Sequence, residues 1–228
     1  MKLDSDLLRF LNTLSRNNNR EWFEKNKKRY LALKENFEEF ISGIIAGLSK
    51  TDKTIAGLDA RKCLFRIYRD ARFSHDKRPY KTNFGAELSM GGKRSRFASY
   101  YIHIEPGECF AGGGVYMPEP DVLKVIRTEI YHDTDTFKQI LKTKKFQNTF
   151  GELDDFDMLK TAPKGFSPDF KDINLLKYKH YIVGTAISDT EITSPGLQKK
   201  IIKTFETMYP FNRFLNSAIM TLEKTGQE

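Results

Sequence analysis

The sequence predicts an α+β fold on three observations. Apolar residues recur at helical spacing from Trp22 to Leu48, short alternating segments between glycine turns cluster over 63–116, and helical periodicity returns in the C-terminal half. The expected architecture is one domain over 1–228, an antiparallel sheet from 63–116 packed on a long N-terminal helix and closed by C-terminal helices.

Leu7, Leu8, Leu11 and Leu14 share one helical face, giving a short first helix that ends in the polar run at 16–19. Asn18 followed by Glu21 has the spacing of a capping box. From Trp22 the apolar positions Phe23, Tyr30, Leu33, Phe37, Phe40, Ile41, Ile44, Ile45 and Leu48 predict one helix of about 28–30 residues, or two meeting near Gly43. Trp22 is expected to be mostly buried. The charged residues on the opposite face read as a solvated surface.

Residues 63–68 alternate as a strand, with Cys63, Phe65 and Ile67 on one side and Leu64, Arg66 and Tyr68 on the other. A loop over 69–83 leads to strands at 84–90, 99–105 and 108–116, separated by the turns Gly91-Gly92 and Pro106-Gly107. Pro118 to Asp121 open a helix carrying Leu123, Ile126 and Ile130, since proline and acids suit a first turn. Asp133 or Thr134 caps another, with Phe137, Ile140 and Leu141 inward. Further along, 173–178 reads as a short helix and 181–187 as a strand. A late helix from Leu197 is expected to break at Pro210 and resume to about Leu222.

With 39% hydrophobic and 13% aromatic residues the chain is a folded globular protein, not a disordered one. Acids at the N-terminus argue against a signal peptide, and no apolar run approaches the roughly 18 residues of a membrane span. Cys63 and Cys109 form no scaffold or metal spacing and read as buried thiols, so a cytosolic protein without membrane partners is expected.

Charge is where the sequence departs from ordinary material. Residues 61–96 hold eleven Lys and Arg against Asp70, Asp76 and Glu87, a local +8 equal to the net charge of the whole chain. So localised a field marks a place where something negative binds. Arg66, Arg69 and Arg72 lie three apart where a strand enters a loop, and Lys77, Tyr80 and Lys81 follow around Pro79. Arginine forks match the oxygens of phosphate and carboxylate in pairs, and a proline-stiffened loop loses less entropy on binding. Asp70 and Asp76 would orient these guanidiniums, tie the loop down as a structural network, or act as acid–base groups. Gly112, Gly113 and Gly114 precede a helix, so their amides are a candidate phosphate cradle; close packing of a glycine strand is the competing reading. His103 and Glu105 project to one side with Glu87 near, but no HxxxH or HxxE spacing supports a metal site, and no metal dependence is expected.

Three stretches carry a family resemblance: Asn-Asn-Arg-Glu-Trp-Phe at 18–23, the run from Arg66 to Lys81, and Gly-Gly-Gly-Val-Tyr-Met-Pro at 112–118, with Pro-Lys-Gly-Phe at 163–166 in support. These resemble the domain of unknown function 2461 (DUF2461) family of conserved hypothetical proteins, found mostly in bacteria, over about residues 5–222. The resemblance implies a single compact domain and brings no activity, substrate or cofactor with it.

The leading expectation is a phosphorylated or carboxylated small molecule bound in a cleft walled by Arg66, Arg69, Arg72, Lys77 and Lys81. The alternative is a nucleic-acid-binding module using the same cations, with Tyr68, Phe73, Tyr80, Tyr100 and Tyr101 as stacking surfaces. A third class is an interaction protein whose loop recognises an acidic partner. A concave cleft favours the first, and a flat stripe reaching Lys93, Arg94 and Arg96 the second.

Overall fold

The computed structural model describes residues 2–70, 72 and 75–225. Helix α1 (Asp6–Arg16) turns back into α2 (Arg20–Leu48), and Arg29 ties the two by a bidentate pair to Asp6 at 2.5 and 2.7 Å. The cap of α2 is Asn19, one residue later than expected, whose side chain accepts from the Trp22 amide at 2.9 Å. Asn18 is not free to cap, because its amide group bonds both the carbonyl and the N–H of Tyr80, at 3.0 and 3.1 Å. That clamp fixes the far end of the basic loop to the start of α2.

Helix α2 runs unbroken through Gly43, where the missing side chain makes room for Gln198 of the last helix. Phe23 is fully buried, and Trp22, as expected, is mostly covered, its ring tilted against Phe10 at 5.7 Å.

Where a strand was expected over 63–68, the chain forms a short helix α3 (Ala60–Cys63) capped by Asp59 and then an extended segment that joins no ladder for long. Leu64 bridges Ala86 and Phe65 bonds Gly85, after which the segment turns to pair with 79–81 through Arg69 to Pro79, the Tyr68–Tyr80 bridge, and Lys81 to Ile67. The backbone bonds are thus divided between the sheet edge and the returning loop, too few on either side for a strand.

The sheet itself has the order β1 (Phe84–Ser89), β2 (Ser99–Ile104), β3 (Phe110–Val115), β4 (Tyr181–Ala186), antiparallel throughout. Its fourth strand comes from far along the chain, so the sheet expected within 63–116 is completed by 181–186. The alternation expected of β2 holds: Tyr100, Ile102 and Ile104 are buried, and Ser99, Tyr101 and His103 face the other way, half covered.

Behind the buried face lie α4 (Pro120–His132), α5 (Thr134–Lys142), α6 (Lys144–Phe150), a short α7 (Asp189–Ile192) and α8 (Leu197–Thr225). Asp133 caps α5, and Ile173–Leu176 is a single 3-10 turn. The break expected at Pro210 does not occur; α8 continues through it. Proline there removes one hydrogen bond and crowds the preceding turn, at about 3 kcal/mol. Phe205, Met208, Phe211, Leu215 and Ile219, all fully buried on either side of Pro210, more than offset that. Cys63 and Cys109 are both buried free thiols.

Candidate functional site

The basic segment forms one wall of a cleft of about 790 Å³ whose other wall is α2. That volume lies within the range of small-molecule sites. From α2 come Phe23, Lys27, Tyr30, Leu31 and Lys34, which helical spacing sets on neighbouring positions of one face. Opposite stand Arg61 from α3, Leu64 to Tyr68, and Lys81. The turn between β1 and β2 adds Lys93 and Arg94. Among the described residues, seven Lys or Arg side chains thus line the cleft against a single acid, Asp70.

Local backbone chemistry places the last two. Gly91 and Gly92 take positive φ of 80° and 90°, and Arg94 follows at 65°. A non-glycine residue there costs on the order of 1 kcal/mol.

The cations crowd one another. The ammonium groups of Lys81 and Lys93 sit 5.2 and 5.1 Å from the centre of the Phe65 ring, and Lys93 also donates to the Leu64 carbonyl. Burial, then the charges of Arg94, Arg66 and Lys93, hold the Lys81 ammonium below the ordinary lysine value. Glu87 beneath the turn is pushed up by burial, against the pull of the Arg94 amide and of the Lys93 and Arg94 charges. Lys27 pairs with Glu24 at 3.1 Å. Among the described residues none of the other six has a carboxylate within 4 Å.

The residues singled out from sequence divide between this cleft and the loop behind it. Arg66, Asp70 and Lys81 line the cleft. Arg69 does not: its guanidinium bonds Asp76 at 2.5 Å and the Arg78 carbonyl at 3.3 Å. Arg78 forks onto the same carboxylate at 3.0 and 2.7 Å, so Arg78 first, with Arg69, holds Asp76 far below the usual carboxylate range. Arg72 forks onto Asp70 at 2.9 and 2.7 Å and lowers its carboxyl likewise. These pairs link the arginines and carboxylates of the loop to one another. Lys77 is exposed on that loop, outside the lining of the cleft. Tyr80 is 3% exposed and stacks on Phe23 with centroids 4.0 Å apart.

Gly112, Gly113 and Gly114 lie inside β3, not in a loop before a helix, and the cleft does not include them. A side chain on Gly112 would meet the Val183 carbonyl at 2.6 Å, and one on Gly113 would strike the Ser99 carbonyl and Met208. Close strand and helix packing accounts for them.

Two of the five aromatics expected to stack bases are core residues: Tyr80, and Tyr100 at 1% exposure, whose hydroxyl donates to buried Asp52 at 2.9 Å. Tyr101 lies half covered on the open sheet face, its hydroxyl 3.1 Å from His103 Nδ1. Phe73 lies outside the described residues. Tyr68 remains exposed, at the cleft.

His103, Glu105 and Glu87 do not converge. Glu87 is in register with Tyr101, and Gly85 with His103. His103 Nε2 lies 2.9 Å from Glu105, whose other oxygen accepts from Thr82 at 2.5 Å. Burial raises the Glu105 carboxyl, but these two hydrogen bonds bring it below its ordinary value. Among the described residues no group of three His, Cys, Asp or Glu side chains is placed to hold a metal ion.

Sequence reasoning missed Lys27, Leu31 and Lys34. Their signal was present, since two cations seven residues apart fall on one helix face, but such residues on a polar face read as solvated unless another element lies opposite. Of the three cations named for a flat stripe, the turn folds Lys93 and Arg94 into the concave wall, and Arg96 lies outside the lining.

The sequence model of the family described as conserved hypothetical protein (DUF2461) matches residues 6–214. No curated protein and no solved structure matches the chain.

Proposed function

We propose, for a chain that belongs to the DUF2461 family, that the cleft binds a small phosphorylated or carboxylated molecule. The observation that carries this is the cluster of Arg66, Lys81, Lys93 and Arg94 along one wall, two of them exposed and two half-buried, none with a carboxylate of the described residues within 4 Å. Like charges held together cost free energy that the fold recovers when an anion bridges them. Arg66 and Arg94 supply forks for pairs of oxygens, and the two lysines supply point charges.

The reading is one of binding. Among the described residues the lining has no Ser, Thr, Cys or His, so the proposal concerns binding alone. The nucleic-acid alternative keeps the cations but loses Tyr80 and Tyr100 to the core. No helix among the described residues is long and apolar enough to cross a membrane.

A test follows from linkage. A phosphate ester with a Kd of about 0.1 mM, supplied at about 10 mM, adds about 2.7 kcal/mol of stability. For a chain of this size the melting temperature rises by about 5–11 °C. Arg66→Ala and Arg94→Ala should remove the rise, whereas Arg78→Ala, which like its partner Asp76 is outside the cleft lining, should keep it. No shift with phosphate, sulfate or phosphate esters, or equal shifts in all variants, would overturn the proposal.

The crowding of Lys81 adds a pH dependence. Anion binding favours its protonated form, so affinity is full while Lys81 is charged and falls as pH rises through its depressed value. Sulfate, whose own charge is constant over this range, should therefore show an alkaline loss of affinity at a pH below 10.5, the ordinary lysine value. Lys81→Arg should move that loss upward, because a guanidinium stays charged. A pH-independent affinity to above 10.5 would remove Lys81 from the site.

A further inference from the structure

The cleft has a second property that an anion site does not require. Two large apolar side chains stand exposed in its lining, Leu31 at 52% and Tyr68 at 47%. Exposing them costs free energy that a purely ionic ligand would not recover. The other large exposed apolar residues of the described chain, Tyr116, Met117, Tyr131 and Phe156, lie outside the cleft. Tyr68 is held in place from one side: the ring of Phe23 meets it at 5.9 Å and 63°, and its backbone bridges Tyr80. Leu31 sits between Lys27 and Lys34 on the facing helix.

Resting on the anion-binding reading above, we infer that the ligand is a nucleotide-type phosphate ester with a planar ring. The phosphates lie against Arg66, Lys81, Lys93 and Arg94, and the ring packs between Tyr68 and Leu31. Charge favours phosphate over carboxylate. A carboxylate brings one negative charge to four crowded cations; a phosphate monoester brings close to two, and a polyphosphate chain more. A ring is favoured over an alkyl chain because it is flat on both faces and loses no internal rotamers on binding.

The experiment compares tripolyphosphate, ATP, GTP, adenosine and a short single-stranded oligonucleotide by calorimetry on the full chain. The nucleotides should bind at least about tenfold tighter than tripolyphosphate, the size of one stacking contact. Tyr68→Ala should erase that difference while leaving tripolyphosphate affinity unchanged, and Tyr68→Phe should keep it. Leu31→Ser, at an exposed position, should reduce the difference without unfolding the protein. Equal affinities for ATP and tripolyphosphate would overturn the ring inference and leave the anion site standing. Binding of neither would overturn both. Adenosine as tight as ATP, or an oligonucleotide about tenfold tighter than either nucleotide, would replace the nucleotide with a neutral ligand or a nucleic-acid strand.

Discussion

Removal of residues 1–48 is expected to leave a chain that does not fold cooperatively. The deletion takes away α1 and α2, and α2 alone contributes nine buried side chains to the core. At the lower figure of about 1.5 kcal/mol per large buried side chain, their burial is worth about 13 kcal/mol. Total stability for a domain is about 5–15 kcal/mol. Ordering the two helices costs conformational entropy, which the shortened chain no longer bears. What decides the outcome is the apolar surface left bare on the partners. Ile202 of α8, which packs at Gly47, and Phe84 of the sheet, which meets Tyr30 and Phe37, lose those neighbours. The measurement is a thermal or urea melt of the 49–228 fragment by circular dichroism. A soluble fragment with a single sharp transition would mean that the sheet and C-terminal helices form a core of their own.

The same deletion removes one wall of the cleft, so fold and candidate site are linked through α2. How much of each the sequence discloses follows from the range of the interactions involved. The helical period of α2 and the alternation of β2 are local patterns, and both are met by the structure to within a residue or so. The segment at 63–68 looked like a strand because its side chains alternate, but a strand is defined by its partners. Here the partners are split between Gly85 and the returning loop. Pro210 looked like a break because local chemistry says so, and the buried residues on both sides of it outweigh that cost. The charge excess over 61–96 falls on one wall of the cleft. It did not say which cations were spent on Asp70 and Asp76 and which were left open, since both kinds of arginine have the same spacing. The opposite wall was illegible for a simpler reason. Lys27, Leu31 and Lys34 line a cleft only because the chain from Arg61 onward lies across from them.

The glycines of β3 yield the second large effect, because two neighbouring strands supply a matched pair of positions. Gly113→Ala is expected to destabilise the protein by about 3 kcal/mol or more. Its added methyl would strike the Ser99 carbonyl of β2 on one side and the Met208 sulfur of α8, 2.7 Å away, on the other. The first is backbone within a hydrogen-bonded ladder and the second belongs to a fully buried side chain, so neither can yield cheaply. Overpacking of this kind costs about 1–3 kcal/mol where side chains alone must move, and more where a strand must shift. Gly184→Ala, one strand over, is the control. Its nearest neighbours lie 3.9 Å away, an ordinary contact, and its φ is not in the left-handed region. That substitution should stay within about 0.5 kcal/mol. In melting temperature, at about 2–4 °C per kcal/mol for a chain of this size, Gly113→Ala should fall by about 6–12 °C or more and Gly184→Ala by less than about 2 °C. Equal shifts in the two variants would mean that α8 does not press on β3 as described. A loss confined to Gly113→Ala would also explain the glycine run by packing, with no ligand needed at that strand.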